Sequence, residues 1–223
     1  MFDYTHQNCE GKNINLEVGK VVCVGRNYML HIQELNNDVP EQPLLFMKPS
    51  TALCSVVEPV SIPSNLGECQ NELEIAVLID KRLTKATHDE VVNAIWGVGL
   101  GLDLTLRDVQ TKLKNKGQPW ERAKSFDGSC PMSGFIPLSE VDSLTALKFN
   151  LVVDGELRQQ GNSKDMIIPI VDLLVEISNS FTLMPGDIVM TGTPKGVGAL
   201  KSGEHLTLEL MDHFLLKTKI VEL

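Results

Sequence analysis

Apolar residues in this chain fall mostly into short runs and strict alternations, the two signatures of β-strands. Such patterns predict strands at Lys20–Val24, Leu44–Met47, Ser55–Pro59, Glu72–Ile79, Trp96–Leu104, Leu147–Val153, Asp187–Thr191 and Leu206–Leu210. Turn signals separate several of them, as at Pro185-Gly186-Asp187. Asp154-Gly155 between Phe149–Val153 and Glu156-Leu-Arg158 reads as a tight hairpin. Helical signals are fewer. Thr87 can cap a helix over His88–Ala94, and Asn27–Leu35 suits another short one. Pro169 can open a third over Ile170–Ser178, with a buried stripe of Ile170, Val171, Leu174 and Ile177. Many strands with few, unevenly spaced helices predict a β-rich α+β fold.

Two of the strands carry chemistry. In Asn71-Glu-Leu-Glu-Ile-Ala-Val-Leu-Ile79, alternate side chains share a face, so Glu72 and Glu74 sit side by side opposite Leu73, Ile75, Val77 and Ile79. Like charges beside a buried strand are costly unless a cation balances them. In Gly97-Val-Gly-Leu-Gly-Leu-Asp-Leu-Thr-Leu-Arg107, one face is apolar and the other reads Gly97, Gly99, Gly101, Asp103, Thr105, Arg107. The glycines clear room for another backbone or a ligand, with Asp103 at the edge. Three carboxylates from two strands match a hard divalent ion such as Mg²⁺ or Mn²⁺. The plain alternatives are solvated acids at a strand end and an Asp103 paired with Arg107 or Lys124.

Composition narrows the function classes. The 223 residues are 43% hydrophobic and 22% charged, an ordinary globular balance. A net charge of −9 argues against nucleic acid or an anionic membrane as partner. No stretch is long and apolar enough to span a bilayer, and the first residues lack a signal-peptide pattern, so a cytoplasmic protein is expected. Five scattered cysteines without a Cys-x-x-Cys support neither a zinc site nor a disulfide framework. Cys130, in Asp-Gly-Ser-Cys-Pro, is the one in a suggestive loop.

Three further clusters stand out. In Gly25-Arg-Asn-Tyr-Met-Leu-His31-Ile-Gln-Glu34, His31 and Glu34 would share a helix face, as a water-activating dyad or as a surface ion pair. The following Asn36-Asn37-Asp38, stiffened by Pro40 and Pro43, suits a segment that orders around substrate. Lys124, in Arg122-Ala-Lys-Ser-Phe-Asp127, is either solvated or placed to stabilise a developing enolate. Thr191-Gly-Thr-Pro-Lys-Gly-Val-Gly198 lacks the phosphate-loop order, but its backbone and the Thr193 hydroxyl could hold a small carboxylate. No Gly-x-Ser-x-Gly elbow or His-Glu-x-x-His occurs.

Taken in order, these pieces resemble the fumarylacetoacetate hydrolase family and its short acylpyruvase branch. The matching residues are Gly25–Tyr28 with His31 and Glu34, Phe46–Pro49, Glu72-Leu-Glu74, Gly101–Asp103 through Arg107, Asp108 and Gln110, Arg122–Asp127, and Thr191–Gly198. The resemblance implies a rolled mixed β-sheet in a homodimer. It also implies a single catalytic domain over 21–223 after an N-terminal extension over 1–20. By the same resemblance, Mg²⁺ or Mn²⁺ is held by Glu72, Glu74 and Asp103. His31, Glu34 and Lys124 become catalytic, and Arg26, Arg107, Gln110 and Thr193 contact a small 2-oxo acid. No ligand or dyad residue is missing, so a non-catalytic binding protein is disfavoured.

The expected reaction is hydrolysis of the C–C bond of an acylpyruvate through a metal-stabilised enolate, with His31 and Glu34 activating water. The same enolate serves oxaloacetate tautomerisation or decarboxylation, and the sequence leaves these as the alternatives.

Overall fold

The computed structural model describes residues 4–223, so residues 1–3 of the expected extension lie outside it. In chain order the first strands are β1 (Val21–Gly25), β2 (Leu44–Lys48), β3 (Leu53–Ser55) and β4 (Val60–Ile62), with helix α1 (Met29–Glu34) after β1. There follow β5 (Cys69–Asn71), β6 (Leu73–Ile79), α2 (His88–Val92), β7 (Ile95–Leu102), β8 (Thr105–Leu106), α3 (Arg107–Asn115) and α4 (Glu121–Lys124). The second half adds β9 (Cys130–Met132), β10 (Ile136–Pro137), β11 (Lys148–Val153), β12 (Glu156–Asn162), α5 (Ile170–Ser180), β13 (Ile188–Met190), β14 (Gly198–Ala199), β15 (His205–Leu210) and β16 (Phe214–Glu222).

A mixed eight-stranded sheet runs β2-β1-β13-β6-β7-β9-β3, with β10 also pairing β7. A five-stranded sheet, β12-β11-β15-β16-β4, packs beside it, and a small sheet, β14-β5-β8, closes one end. The β-rich α+β expectation holds.

Both faces of the large sheet are covered, and β6 shows how. Leu73, Ile75, Val77 and Ile79 enter the main core, while Ala76 and Leu78 enter a second one. Every residue of β6 is buried, as in strands covered on both sides. The second core is roofed by the N-terminal segment: Tyr4, Ile14, Leu16 and Val18 pack on it, and the buried His6 places Nε2 3.0 Å from Gly186 O.

The glycine face of β7 is filled by protein. A Cβ on Gly97 would lie 1.9 Å from the Ile136 carbonyl oxygen, and one on Gly99 would meet Ser133 and Gly134. Beyond the glycines, Asp103 and Arg107 open toward a pocket.

Several elements depart from expectation. Ser55 ends β3 and β4 begins at Val60, so Ser55–Pro59, expected as a strand, is past Ser55 the turn between two strands. In α5 the buried apolar positions are Ile170, Leu173, Leu174 and Ile177; Val171 is only partly buried. That set has the i, i+3, i+4, i+7 spacing of one helix face, which Val171 misses. Thr87 caps α2 in a reciprocal capping box with Glu90. Asp154 and Gly155 both take positive φ, as the two-residue hairpin between β11 and β12 requires. Among the described residues, no helix is long and apolar enough to cross a membrane.

Candidate metal and 2-oxo acid site

The three carboxylates meet where the large and small sheets join. Glu72 is the link between β5 and β6 rather than part of a strand, Glu74 is the second residue of β6, and Asp103 follows β7. Glu74 pairs with Gly101 across the ladder, and Asp103 N donates to Glu72 O at 2.8 Å, so backbone bonds fix the spacing. One oxygen from each acid lies within 4.8 Å of the others. Glu72, Glu74 and Asp103 are 5%, 1% and 1% exposed, which rules out a solvated surface cluster.

Cations surround one side of this cluster. Lys124 Nζ donates to Glu72 Oε2 at 2.8 Å and to Asp103 Oδ2 at 2.6 Å. Arg107 binds the other Glu72 oxygen through Nη2, Gln70 through Nε and Gln110 through Nη1. Burial alone would raise the Glu72 carboxyl, but Lys124 and Arg107 more than offset it and hold it below the usual carboxylate range. Burial likewise would lower Lys124, yet Asp103 and Glu72 keep the ammonium charged.

Glu74 behaves in the opposite way. Burial, then Asp103 and Glu72, push its carboxyl well above the usual range, and the Gly192 N–H at 2.7 Å is the main counterweight. Asp103 Oδ1 has no directed hydrogen bond. Lys48 Nζ is 2.9 Å from it, but Lys48 donates to the carbonyls of Lys124 and Ser129 and to the Ser129 hydroxyl. A buried carboxylate oxygen without a proton to accept, beside a carboxyl that resists ionising alone, fits a hard divalent ion. Glu72, Glu74 and Asp103 are the residues that could hold it.

Of the remaining expected site residues, Arg26, His31, Gln110 and Thr193 line the same pocket, with Phe46 and Trp120 as its apolar wall, whereas Glu34 does not line it. Its cavity is about 40 Å³, room for only a few water-sized groups. His31 is buried on α1, and burial lowers its pKa even though Glu72 and Glu34 oppose the shift. The imidazole is therefore neutral near neutral pH. Its Nδ1 is 3.5 Å from Glu34 Oε2, at the limit of a hydrogen bond. Both Glu34 oxygens accept instead from Gly196 N, at 2.9 and 3.1 Å. Thr193 spends its hydroxyl proton on Leu73 O at 2.9 Å, so donating to a ligand would require giving up that bond.

The chain as a whole has known relatives. The fumarylacetoacetate (FAA) hydrolase C-terminal family matches residues 20–222. The chain belongs to this family. It is 52% identical to the oxaloacetate tautomerase YcgM of Escherichia coli K12, over 95% of this chain and 97% of the relative. A fumarylacetoacetate hydrolase family protein from Yersinia pestis superposes with a TM-score of 0.96 at 49% identity, covering 98% of this chain and all of the other. The fumarylpyruvate hydrolase of Pseudomonas aeruginosa, in complex with Mn²⁺ and pyruvate, superposes at 0.91 with 32% identity, covering 99% and 96%.

Two further residues, outside the set expected from the sequence, support this site. Lys48 is wholly buried at the end of β2. Gln159 on β12 accepts from Leu73 N and Asn71 Nδ2 and donates to Thr193 Oγ1 and Pro194 O. It thereby ties the Thr191–Gly198 loop to Asn71 and Leu73 on either side of Glu72. Cys130 lies buried in β9, where burial raises its thiol pKa, so it is no loop nucleophile.

Proposed function

We propose that this protein is an oxaloacetate tautomerase that requires a divalent ion and interconverts the keto and enol forms. The observation that carries the reading is the near full-length 52% identity to a relative of that name, joined to a complete site. A divalent ion held by Glu72, Glu74 and Asp103 would polarise the 2-oxo oxygen and acidify the C3 protons.

The chain's own residues supply the rest. With Nδ1 turned toward Glu34, the Nε2 of neutral His31 is the free basic atom in the pocket. It takes a proton from C3, and the resulting imidazolium returns it to the 2-oxo oxygen, giving the enol; the reverse sequence gives the ketone. The Lys124 ammonium stays charged and donates a hydrogen bond to the developing oxyanion. Phe46 and Trp120 limit water around it.

Acylpyruvate hydrolysis is the second reading. It is favoured by the His31–Glu34 pair and by the likeness to a fumarylpyruvate hydrolase. Against it, Glu34 is engaged chiefly by Gly196, which leaves His31 placed to carry a proton rather than to share one with a carboxylate. The discriminating experiment compares kcat/KM for enol-oxaloacetate and acetylpyruvate with Mg²⁺ or Mn²⁺. Tautomerisation should exceed acetylpyruvate cleavage by at least ~10²-fold, a gap that one well-placed catalytic group can supply. Efficient release of pyruvate from acetylpyruvate would reverse the assignment.

A further inference from the structure

The pocket has a second charged end that the acid cluster does not neutralise. Lys114, in the last turn of α3, reaches a chain segment far from its own and donates to Asn37 Oδ1 at 3.1 Å. Arg26 donates to the same oxygen from Nη2 at 3.0 Å, and to Asp38 O from Nη1 at 3.1 Å. Two cations thus share one neutral acceptor. Among the described residues, neither has a carboxylate within ion-pair distance. Arg107 and Lys124, by contrast, both have acid partners.

The ordinary account of Lys114 is a basic residue complementing a helix C-terminus. It does not explain why the side chain is turned onto a loop that already holds a guanidinium. Nor does it explain Arg26, whose φ of +63° puts a non-glycine residue in the strained left-handed region. Partial burial, then Arg26 and Arg107, lower the Lys114 pKa, as expected where like charges gather without an anion. Both side chains line the same pocket as Glu72, Glu74 and Asp103.

We infer that Lys114 and Arg26, positioned through Asn37, form a subsite for the distal carboxylate of a dicarboxylic 2-oxo acid. A carboxylate there would accept from a guanidinium edge and an ammonium together and relieve their repulsion. The inference rests on the tautomerase reading for its substrate class and deepens it. Lys114 becomes the residue that separates oxaloacetate from 2-oxo monocarboxylates of the same length.

Two probes test this in the Mg²⁺-loaded protein by calorimetry. One is 3,3-difluorooxaloacetate, which keeps both carboxylates and has no C3 proton to lose. The other is 2-oxobutyrate, in which a methyl group replaces the distal carboxylate. The wild-type protein should bind the dicarboxylate at least ~10-fold more tightly, the worth of one charge-assisted hydrogen bond. Lys114→Met should remove most of that preference and leave 2-oxobutyrate affinity where it was, and Lys114→Arg should restore it. Lys114 is exposed, so the substitutions leave the core intact. Equal binding of both probes by the wild type would overturn the subsite, as would equal weakening of both by Lys114→Met. Because this is binding, it is separable from turnover. A clear dicarboxylate preference in a protein that does not tautomerise oxaloacetate would keep the subsite and remove the proposed reaction.

Discussion

The floor and the wall of the pocket are built on opposite plans. The floor, with Glu72, Glu74 and Asp103, is fixed by ladder bonds between β6 and β7 and by the Asp103–Glu72 backbone bond, and is shut from solvent. The wall is α1, six residues without a side-chain cap, exposing Met29 at 42% and Leu30 at 55%. Buried Ile32 and the Glu34 bond to Gly196 hold it down. Fixed charge sits on the rigid element, where positions are defined by packing. His31, the proton carrier of the proposed reaction, sits on a short element tied by few bonds, the kind that opens at low cost.

If that division is right, damage to floor and wall should separate cleanly. The largest effect is expected from Asp103→Asn, which removes one carboxylate charge from the floor. Divalent-ion affinity measured by calorimetry should collapse and tautomerisation should fall by ~10³-fold or more. An Asp103→Asn protein that still bound the ion tightly would break the floor assignment.

His31→Asn comes next. Turnover should fall by ~10²- to 10⁴-fold while ion affinity stays near that of the wild type. Loss of ion binding in this variant would place His31 on the floor and erase the distinction.

The floor also predicts a pH signature. Glu74 has a raised pKa in the ion-free fold, so its stabilising contribution is complete below the ordinary carboxylate value and is lost as pH rises through the raised one. Divalent ions should reverse this, because binding requires the ionised form. The gain in melting temperature on adding Mg²⁺ should therefore grow with pH, and binding should release protons, read from calorimetry in buffers of different ionisation enthalpy. A pH-independent gain without proton release would contradict the account.

The smallest effect belongs to Glu34→Gln, which keeps an acceptor for Gly196 N–H but loses the charge beside His31. Its hydrogen bond and charge both raise the His31 pKa, so the acid limb of the pH–rate profile should move to lower pH. Turnover should drop by less than about tenfold. A drop as large as that of His31→Asn would argue for a true water-activating dyad.

Legibility in the sequence followed how local the cause was. β1, β6, β7 and β13 were readable because each is a dense apolar run, and the Glu72/Glu74 pair because alternation puts both on one face. The glycines of β7 signalled close approach, but only the fold shows that backbone and side chains from Ser133 to Pro137, not a ligand, fill most of it. β16 alternates more weakly, with Lys217 and Lys219 exposed, and was missed. α3 is mostly polar, with only Val109 and Leu113 packing on the core, so periodicity gave little to find. Lys48 lies inside the matched Phe46–Pro49 segment, but its role, like those of Gln159 and Lys114, rests on partners distant in the chain. The C–C hydrolase expectation draws on the intact His31 and Glu34 pair, and no sequence pattern shows the bond from Glu34 to Gly196.

The most direct test of the central claim is proton exchange at C3 of oxaloacetate in deuterated buffer, followed by NMR with the Mg²⁺-loaded protein and again after excess chelator. The account predicts exchange far above the buffer rate, abolished by chelator, with no accumulation of pyruvate. Exchange no faster than in buffer, or pyruvate appearing in step with oxaloacetate loss, would contradict it.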